Sequence, residues 1–419
     1  MASTLSVRDR RLATLDRVGA PRAHRRAPAS DGPRRTTRRR ERLAPPTGTW
    51  YGIVGVVVVF VTLGLVMVLS ASAVTQANIG NSPYHVFLRQ SVWAGLGLIA
   101  LAVVARVPYD AWRRLAIPLG VVGVIAMLLP FAPGIGSTVN GARAWIRVGG
   151  FSAQPSELLK FVVVVATADL LTRRRTIMNH RTRTVYPLAA IAAVGAGLCL
   201  AQKDLGSAIV LGAIVLAIAW IAGMPFRPLA AITTLSVAAG IVFVITSQRR
   251  IDRFTAFLDP EGNRDHLGYQ MYQGFVSMAS GGLTGSGIGG SKGKLGYLPY
   301  AHSDFIFAII ADELGFIGAA TVILGFIVLV WFGIQTALAA PDRFGMLLAG
   351  GVAAWFGVQT LVNLGGVTGL MPVTGLTLPF FSAGGSSLFV SMLAAGLLLS
   401  VARRIDTGGR RGVETRRAR

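Results

Sequence analysis

An acidic residue directly before a long apolar run is the sharpest candidate for chemistry in this sequence. The run Tyr297-Leu-Pro-Tyr-Ala-His302-Ser303-Asp304 leads straight into Phe305-Ile-Phe-Ala-Ile-Ile. An aspartate at the outer mouth of a membrane helix can act as a base, because water and membrane-held substrates both reach it. A helix cap is the alternative, since Ser303 or Asp304 would satisfy free amides of the first turn. Both interpretations stay open at this point.

Four other ionisable residues lie inside or near apolar runs. Glu157 and Lys160 are three residues apart, so they share a helix face and are expected to pair. Asp312 and Glu313 lie two turns into the run after Asp304, where a carboxylate costs roughly 2.5–3.5 kcal/mol unless it faces protein or water. Glu313 lies about 180° around the helix from Asp304, which argues against a carboxylate pair. Structural bonding is the expected role of Asp312 and Glu313.

The other patterns in the sequence do not indicate a nucleotide-binding or metal site. The run Gly285-Ser-Gly-Ile-Gly-Gly superficially matches a nucleotide-binding turn, but it follows no strand–turn–helix unit and lacks a lysine at Walker spacing. With one cysteine and five histidines, no zinc site can be built from thiolates and a site of three histidines is not expected. Cys199 lies in an apolar run and is expected to be a buried apolar residue.

The elements that must position these residues are membrane helices. Of the 419 residues, 53% are hydrophobic and only 14% are charged, whereas soluble proteins carry about 25% charged residues. This composition excludes an ordinary cytosolic enzyme and a disordered protein. The 51 glycines predict close approach between helices in lipid.

The hydropathy pattern predicts an all-α polytopic membrane protein with ten transmembrane helices. A span of the roughly 30 Å hydrocarbon core needs about 20 apolar residues. The predicted spans are 50–72, 86–105, 115–132, 155–172, 185–201, 207–223, 228–247, 304–332, 344–364 and 384–402.

The basic residues predict the orientation. The net charge is +23, and 30 of the 41 Lys and Arg fall on the side that holds both termini. The positive-inside rule therefore places both termini in the cytoplasm. The charge reflects topology and does not point to nucleic-acid binding.

The chain divides into two basic tails and a membrane domain. Residues 1–49 are rich in Arg, Pro and Ala and are predicted to be a disordered cytoplasmic tail, not a cleavable signal peptide. The membrane domain covers 50–404, and 405–419 form a second basic cytoplasmic tail.

The extracytoplasmic loops are long enough to be functional. The largest, 248–303, joins spans seven and eight, and two others cover about 133–154 and 365–383. All three are expected to fold as short helices and re-entrant turns lying on the bilayer, so the polar chemistry faces outward.

Six phrases occur in order along these loops and span ends, and together they resemble the SEDS family (shape, elongation, division and sporulation). The resemblance covers about residues 50–404. The phrases are Asn140-Gly-Ala-Arg143-Ala-Trp145-Ile, Gln154-Pro-Ser-Glu157-Leu-Leu-Lys160, Gln202-Lys-Asp204-Leu-Gly206, Tyr269-Gln270-x-x-Gln273-Gly274, Leu298-Pro-Tyr-Ala-His302-Ser-Asp304 and Pro372-Val-Thr-Gly375 with Pro379-Phe-Phe-Ser382-Ala-Gly-Gly385-Ser-Ser387.

The resemblance implies a peptidoglycan glycosyltransferase of the bacterial plasma membrane that polymerises lipid II and releases undecaprenyl diphosphate. Within the family the chain is most similar to the division member, which acts at the septum, with the elongation member as the alternative. The family's essential acid falls on Asp304. The other candidate substrate-binding residues are Arg143, Glu157, Lys160, Gln202, Lys203, Asp204, Gln270, Lys292, His302 and Ser382. Lys203 stands where many relatives have proline, and Gly296 where some have an acid.

The reaction needs one base, because pyrophosphate leaves as a stable anion. We expect Asp304 to accept the proton of the 4-hydroxyl on the acceptor's terminal GlcNAc. Cations such as Arg143, Lys203 or Lys292 are expected to stabilise the diphosphate. A resident metal is not predicted, and a divalent cation (Mg or Mn) stays open as a cofactor.

The resemblance also implies partners: a class B penicillin-binding protein with transpeptidase activity, and other division proteins. Two further classes of function stay open. A lipid II flippase would need charge at mid-bilayer and broken helices repeated in both halves, and the sequence has no such repeat. A non-catalytic scaffold for division proteins would need neither.

Overall fold

The computed structural model describes residues 48–139, 141–149, 151–265 and 268–404. The predicted basic tails lie outside this part of the chain, except for Gly48 and Thr49, which begin the first helix. The described residues form twelve α-helices: α1 (Gly48–Asn78), α2 (His85–Arg106), α3 (Ala111–Leu128), α4 (Pro155–Arg173), α5 (Tyr186–Ala201), α6 (Leu205–Ile221), α7 (Phe226–Ile245), α8 (Gln248–Leu258), α9 (Tyr269–Ser280), α10 (Ile306–Leu338), α11 (Arg343–Val367) and α12 (Gly385–Ala402).

Each of the ten predicted spans coincides with a helix, and eight helices are long and apolar enough to cross a membrane. The other two are α4, which carries charged residues, and α6, which is 17 residues long. Both pack against α11 and against each other at the centre of the bundle. Glu157, Lys160 and Asp169 of α4 are therefore buried in protein, which is where charged residues are tolerated at membrane depth. Arg173 at the end of the helix is exposed. The count of ten spans and the cytoplasmic placement of both termini stay predictions.

Glycines allow close contacts around the bundle. A Cβ atom at Gly64 of α1 would lie 2.4 Å from the carbonyl oxygen of Phe380, and one at Gly396 of α12 would lie 2.8 Å from that of Leu101. Neither position has space for a side chain. The close helix approach predicted from the glycine content is confirmed between Gly396 and α2, while Gly64 allows the loop before α12 to approach α1.

The segment between α3 and α4 is an antiparallel sheet, so the expectation of short helices and turns there is wrong. In its run Arg143-Ala-Trp-Ile-Arg-Val, every second residue is aliphatic, as in a strand with one buried face. Ala144 is buried, while Arg143 and Arg147 are exposed. Asn140-Gly141 and Gly149-Gly150 are dipeptides typical of two-residue hairpin turns. The strands are β1 (Gly136–Val139), β2 (Ala142–Val148) and β3 (Phe151–Ala153), in the order β1-β2-β3.

The loop between α7 and α10 contains the short helices α8 and α9, as predicted, and a 3₁₀ turn at Gly293–Leu295. The segment after α9, residues 281–290, is rich in glycine. It packs against residues 312–317 in the first third of α10, which does not fit a nucleotide-binding turn between a strand and a helix.

Helix α10 coincides with the predicted span 304–332 and is broken at Gly315. Gly315 has φ 69° and ψ −170°, which only glycine adopts readily. The break frees the carbonyls of Asp312 and Glu313, and these accept hydrogen bonds from the amides of Ser286 (2.9 Å) and Gly287 (3.0 Å).

The amides on the other side of the break are also satisfied by the glycine-rich segment. Phe316 N donates to Gly282 O at 2.9 Å, and Ile317 N donates to Leu283 O at 3.2 Å. Irregular backbone at membrane depth is tolerated where protein supplies its hydrogen bonds. The segment 281–290 therefore acts as the partner of the broken helix.

Candidate functional site

Asp304 lies on a turn that immediately precedes α10. The helix is preceded by Phe305, and no side chain caps its first turn. The hydroxyl of Ser303 instead donates to the carbonyl of Tyr300 at 3.3 Å. The helix-cap alternative for Ser303 and Asp304 is therefore wrong, and the half-buried Asp304 carboxylate is not bound by the amides of the first turn of α10.

Three hydrogen bonds from other parts of the chain hold this turn. Asn363 Nδ2 of α11 donates to the carbonyl of Asp304 at 3.0 Å. Ser382 Oγ donates to the carbonyl of Ser303 at 2.7 Å, and Ala383 N donates to that of His302 at 2.9 Å. The backbone around the carboxylate is therefore fixed by α11 and by the loop that follows it.

That loop covers the carboxylate. A cavity of about 10 Å³ lies between Asp304, Asn363 and the segment 373–376, at the lower limit for one water molecule. A Cβ atom at Gly375 would lie 3.5 Å from Asp304 Oδ2, and the φ of Gly375 is +74°. Glycine at this position lets the loop backbone lie over the carboxylate.

Burial raises the pKa of Asp304 to about 7. A hydrogen bond from Ser303 and the charge of Arg253 oppose this rise, while the charge of Asp204 adds to it. Burial lowers the pKa of His302, which keeps its imidazole neutral near pH 7. A carboxyl group with a pKa near the working pH is suited to general base catalysis.

Glu157 and Lys160 form the predicted pair, inside the protein. Lys160 Nζ donates to Glu157 Oε1 and to Gln359 Oε1, both at 2.8 Å, and Lys160 is 0% exposed. Gln359 Nε2 donates to the carbonyl of Thr377 at 2.9 Å. This buried network connects α4 and α11 to the loop over Asp304. In this geometry the pair supports the loop, and its predicted contact with substrate stays a prediction.

Three more candidates cluster where α5, α6 and the β-sheet meet. Asp204 Oδ1 accepts the amide of Ser207 at 2.9 Å, so Asp204 caps α6, while its Oδ2 accepts Gln154 Nε2 at 2.9 Å. Gln202 is buried, and its Nε2 donates to the carbonyl of Met127 at 2.6 Å. The exposed Arg143 donates from Nε to the carbonyl of Pro130 at 2.9 Å.

The remaining candidates lie in different surroundings. Gln270 Nε2 donates to the carbonyl of Pro299 at 3.2 Å, just before the Asp304 turn. Lys203 is exposed and has φ 66°, a value that proline cannot adopt. Lys292 is exposed and lines a separate cavity. The structure thus groups His302, Ser382 and Gln270 around Asp304, and it does not place Lys292 in that cavity.

Sequence reasoning missed the polar residues of α11. Gln359 and Asn363 are four residues apart in a predicted span, so they share one face of the helix. Two uncharged polar residues on one face of an apolar span are a signal of internal hydrogen bonding, and this signal was available in the sequence.

The structural bonding predicted for Asp312 and Glu313 is confirmed. Asp312 Oδ2 accepts hydrogen bonds from Ser277 (3.0 Å) and Ser291 (2.5 Å). Glu313 Oε1 pairs with Lys294 Nζ at 2.8 Å. The partner Lys294 was not anticipated, because it lies 19 residues away in a glycine-rich loop. Cys199 is buried, as predicted.

No group of three His, Cys, Asp or Glu that could hold a metal ion occurs among the residues that the structure describes. Magnesium sites at phosphate-transfer centres often use one or two carboxylates together with substrate phosphates. Asp304 could supply one such carboxylate, so a cation here would depend on the diphosphate of the substrate for most of its ligands.

Fold and site together define a multi-pass helical membrane protein. It holds one carboxylate of raised pKa, Asp304, beneath a loop and directly before a broken helix. The chain belongs to the FtsW/RodA/SpoVE family, whose model, described as "Cell cycle protein", matches residues 52–406.

Comparison with individual proteins and solved structures gives the same family. The chain is 37% identical over 83% of its length to a protein named "Probable peptidoglycan glycosyltransferase FtsW" from Geobacter sp. (strain M18), of which it covers 95%. A chain of a solved structure described as "Structural coordination of polymerization and crosslinking by a peptidoglycan synthase complex" matches with a TM-score of 0.70 and 32% identity, covering 85% of this chain and 98% of that one. RodA of Thermus thermophilus matches with a TM-score of 0.62 and 32% identity, covering 84% of this chain and 96% of that one.

Proposed function

We propose that this protein is a peptidoglycan glycosyltransferase that polymerises lipid II into glycan strands and releases undecaprenyl diphosphate. The observation that carries the proposal is the Asp304 carboxylate, whose pKa is raised to about 7 and which lies beside a cavity at the mouth of α10. The name of the FtsW relatives and the sequence identity over most of the chain support the same reaction.

Asp304 acts as the general base. Its carboxylate takes the proton from the 4-hydroxyl of the acceptor's terminal GlcNAc as that oxygen bonds to the anomeric carbon of the donor. The bond from that carbon to the lipid diphosphate breaks at the same step, and the diphosphate leaves as an anion. A positioned base typically contributes about 10²- to 10⁴-fold to the rate. The exposed cations Arg143 and Lys203 are the candidates for holding the diphosphate.

The loop over Asp304 moves when substrate binds. The cavity of about 10 Å³ holds no more than about one water molecule, and a sugar needs more space. The segment 373–376 lines this cavity and includes Gly375. Displacement of this segment would admit the acceptor and let it close over the reacting atoms.

The biological role that we propose is synthesis of septal wall. The FtsW name of the relatives favours division over RodA-type elongation. A class B penicillin-binding protein would cross-link the strands, which is consistent with the coupled polymerisation and crosslinking named for the matching synthase complex. Enrichment at the septum and contacts with other division proteins belong to this proposal.

A divalent cation, magnesium or manganese, is proposed as a partner of the diphosphate and not as a permanent constituent. Polymerisation by protein treated with EDTA should fall and should recover when either metal is added. Full activity after metal removal would refute this part of the proposal without affecting the role of Asp304.

The central test compares Asp304→Asn with the wild-type protein in a lipid II polymerisation assay, with a class B penicillin-binding protein present. The amide cannot take a proton, so the variant should lose glycan chains while keeping its thermal stability. Asp265→Asn is the matched control, because Asp265 is an exposed carboxylate in the same loop. Near-normal chains from Asp304→Asn would refute the role of Asp304. Movement of fluorescent lipid II between leaflets without polymerisation would favour a flippase.

A further inference from the structure

A second cavity opens between α1 and the glycine-rich loop 288–295. Its volume is about 420 Å³. The walls are mainly apolar, with Val66, Leu69 and Val74 on α1 and Ile288 and Leu295 on the loop. None of the residues that line it lines the Asp304 cavity. It is therefore a separate feature from the proposed catalytic site.

The apolar part of this cavity is open at the surface of the helical bundle. Val66 is 38% exposed, Ile288 is 64% exposed and Leu295 is 50% exposed. The lining residues of α1 extend from Val66 to Val74, a distance of about 12 Å at 1.5 Å per residue. Exposed apolar side chains on a membrane span face acyl chains. A lipid chain can therefore enter the cavity sideways from the bilayer.

A buried ion pair forms a polar wall of the cavity beside Ser70, midway along the α1 lining. Lys294 is 5% exposed, and its Nζ donates to Glu313 Oε1 at 2.8 Å and to Ser70 Oγ at 3.1 Å. Ser70 Oγ in turn donates to Glu313 Oε1 at 2.7 Å. An ammonium group has three N–H donors, and no acceptor for the third is found in the part of the chain that the structure describes. That donor is available to a ligand.

Lys292 adds a further positive charge to this cavity. Its side chain is exposed, lines the same cavity and has no ion-pair partner among the described residues. Lys294 is already neutralised by Glu313. Asp312 also lies behind the polar wall, where it accepts a hydrogen bond from Ser291. The two lysines therefore face two carboxylates, and the exposed Lys292 is the cation that a phosphodiester with one negative charge can reach.

We propose that this cavity binds one anionic phospholipid from the leaflet in which the loop 248–303 lies, the outer leaflet in the predicted topology. An acyl chain lies along α1, and the phosphodiester accepts hydrogen bonds from Lys292 and from the third donor of Lys294. This assignment gives Lys292 a role apart from the substrate diphosphate.

Native mass spectrometry of the delipidated full-length protein tests the proposal. Phosphatidylglycerol, zwitterionic phosphatidylcholine and undecaprenyl diphosphate are titrated separately and in competition. We expect one phosphatidylglycerol to be retained at least about tenfold more tightly than phosphatidylcholine, and Lys292→Gln to remove most of that preference. Ala73→Phe should fill the cavity and also reduce retention.

Two matched variants serve as controls. Val59→Phe enlarges an exposed residue of α1 outside the cavity, and Arg147→Gln removes an exposed charge on β2. Both should bind phosphatidylglycerol as the wild-type protein does. Equal binding of the two phospholipids, or an unchanged preference in Lys292→Gln, would overturn the proposal. Undecaprenyl diphosphate that displaces phosphatidylglycerol in a Lys292-dependent way would also overturn it and would assign the cavity to the substrate.

Discussion

Asn363 holds both the turn that carries Asp304 and the loop that covers it. Its Nδ2 donates to the carbonyl of Asp304 at 3.0 Å and to the carbonyl of Leu376 at 2.7 Å. One buried amide on α11 therefore sets the distance between the proposed base and the covering segment. Any movement of the loop must break or stretch the second of these bonds.

Replacement of Asn363 should impair catalysis through positioning. Asn363→Ala leaves two carbonyls without this donor, which costs about 1–3 kcal/mol for a buried group. We expect kcat for lipid II polymerisation to fall by about tenfold or more while KM changes little, because the base is displaced and the substrate contacts are not. Asn81→Ala, in the exposed turn after α1, is the control. A changed KM with normal kcat would indicate direct substrate binding by Asn363.

The polymerisation rate should rise with pH through about 7. Burial raises the pKa of Asp304 to about 7, and only the deprotonated carboxylate can accept a proton. Below that pH the rate should fall about tenfold per pH unit. Arg253 opposes the rise in pKa, so Arg253→Gln should raise the pKa further and move the profile to higher pH.

The profile is measured as single-turnover rate against pH, with Arg264→Gln as the control for loss of an exposed arginine in the same loop. A profile that is flat from about pH 5 to about pH 8, on both sides of the Asp304 pKa of about 7, would contradict this base. A shift to lower pH in Arg253→Gln would contradict the sign of the Arg253 effect.

Loss of Lys160 should destabilise the protein more than loss of its whole ion pair. Lys160→Met leaves the Glu157 carboxylate buried without its cation, which costs about 3–5 kcal/mol. The double variant Glu157→Gln with Lys160→Met removes both charges and should recover part of the lost thermal stability. Unfolding in detergent measures both effects. Lys203→Met, at an exposed position, should change stability little, and equal losses in single and double variants would argue against a buried charge effect.

Gly315→Ala should prevent correct folding of α10. The backbone there has φ 69° and ψ −170°, and a Cβ atom would lie 2.4 Å from Gly285 N and 2.5 Å from Leu283 O. Backbone strain alone costs about 1–3 kcal/mol, and the contact with backbone adds to it. We expect loss of monodisperse protein in size-exclusion chromatography. Gly240→Ala on α7, with open space around it, should purify normally.

Local patterns in the sequence were sufficient for several features. All ten predicted spans lie within about six residues of the observed helix bounds, because a span must have a minimum apolar length. The pair of Glu157 and Lys160 followed from their spacing of three residues on one helix. Asp304 stood out because a charged residue directly before a long apolar run is visible without any tertiary information.

Other features depended on tertiary structure. The bond between Lys160 and Gln359 joins residues 199 positions apart, and that between Ser70 and Glu313 joins residues 243 positions apart. Local sequence patterns do not specify how distant helices pack together, so neither of these bonds could be predicted from them. The break at Gly315 is equally hidden, since its free carbonyls and amides are stabilised only because residues 282–287 pack beside them.

The sequence by itself therefore determined the helices, the family and the acidic residue at the mouth of α10. Only the tertiary structure decided that Asp304 does not cap its helix, that a loop of the same chain covers it, and that burial raises its pKa. The position of the Asp304 turn and its cover arise from contacts with Asn363, Ser382 and the segment 373–376. Those residues come from distant parts of the chain, and their contact with the Asp304 turn exists only in the folded bundle.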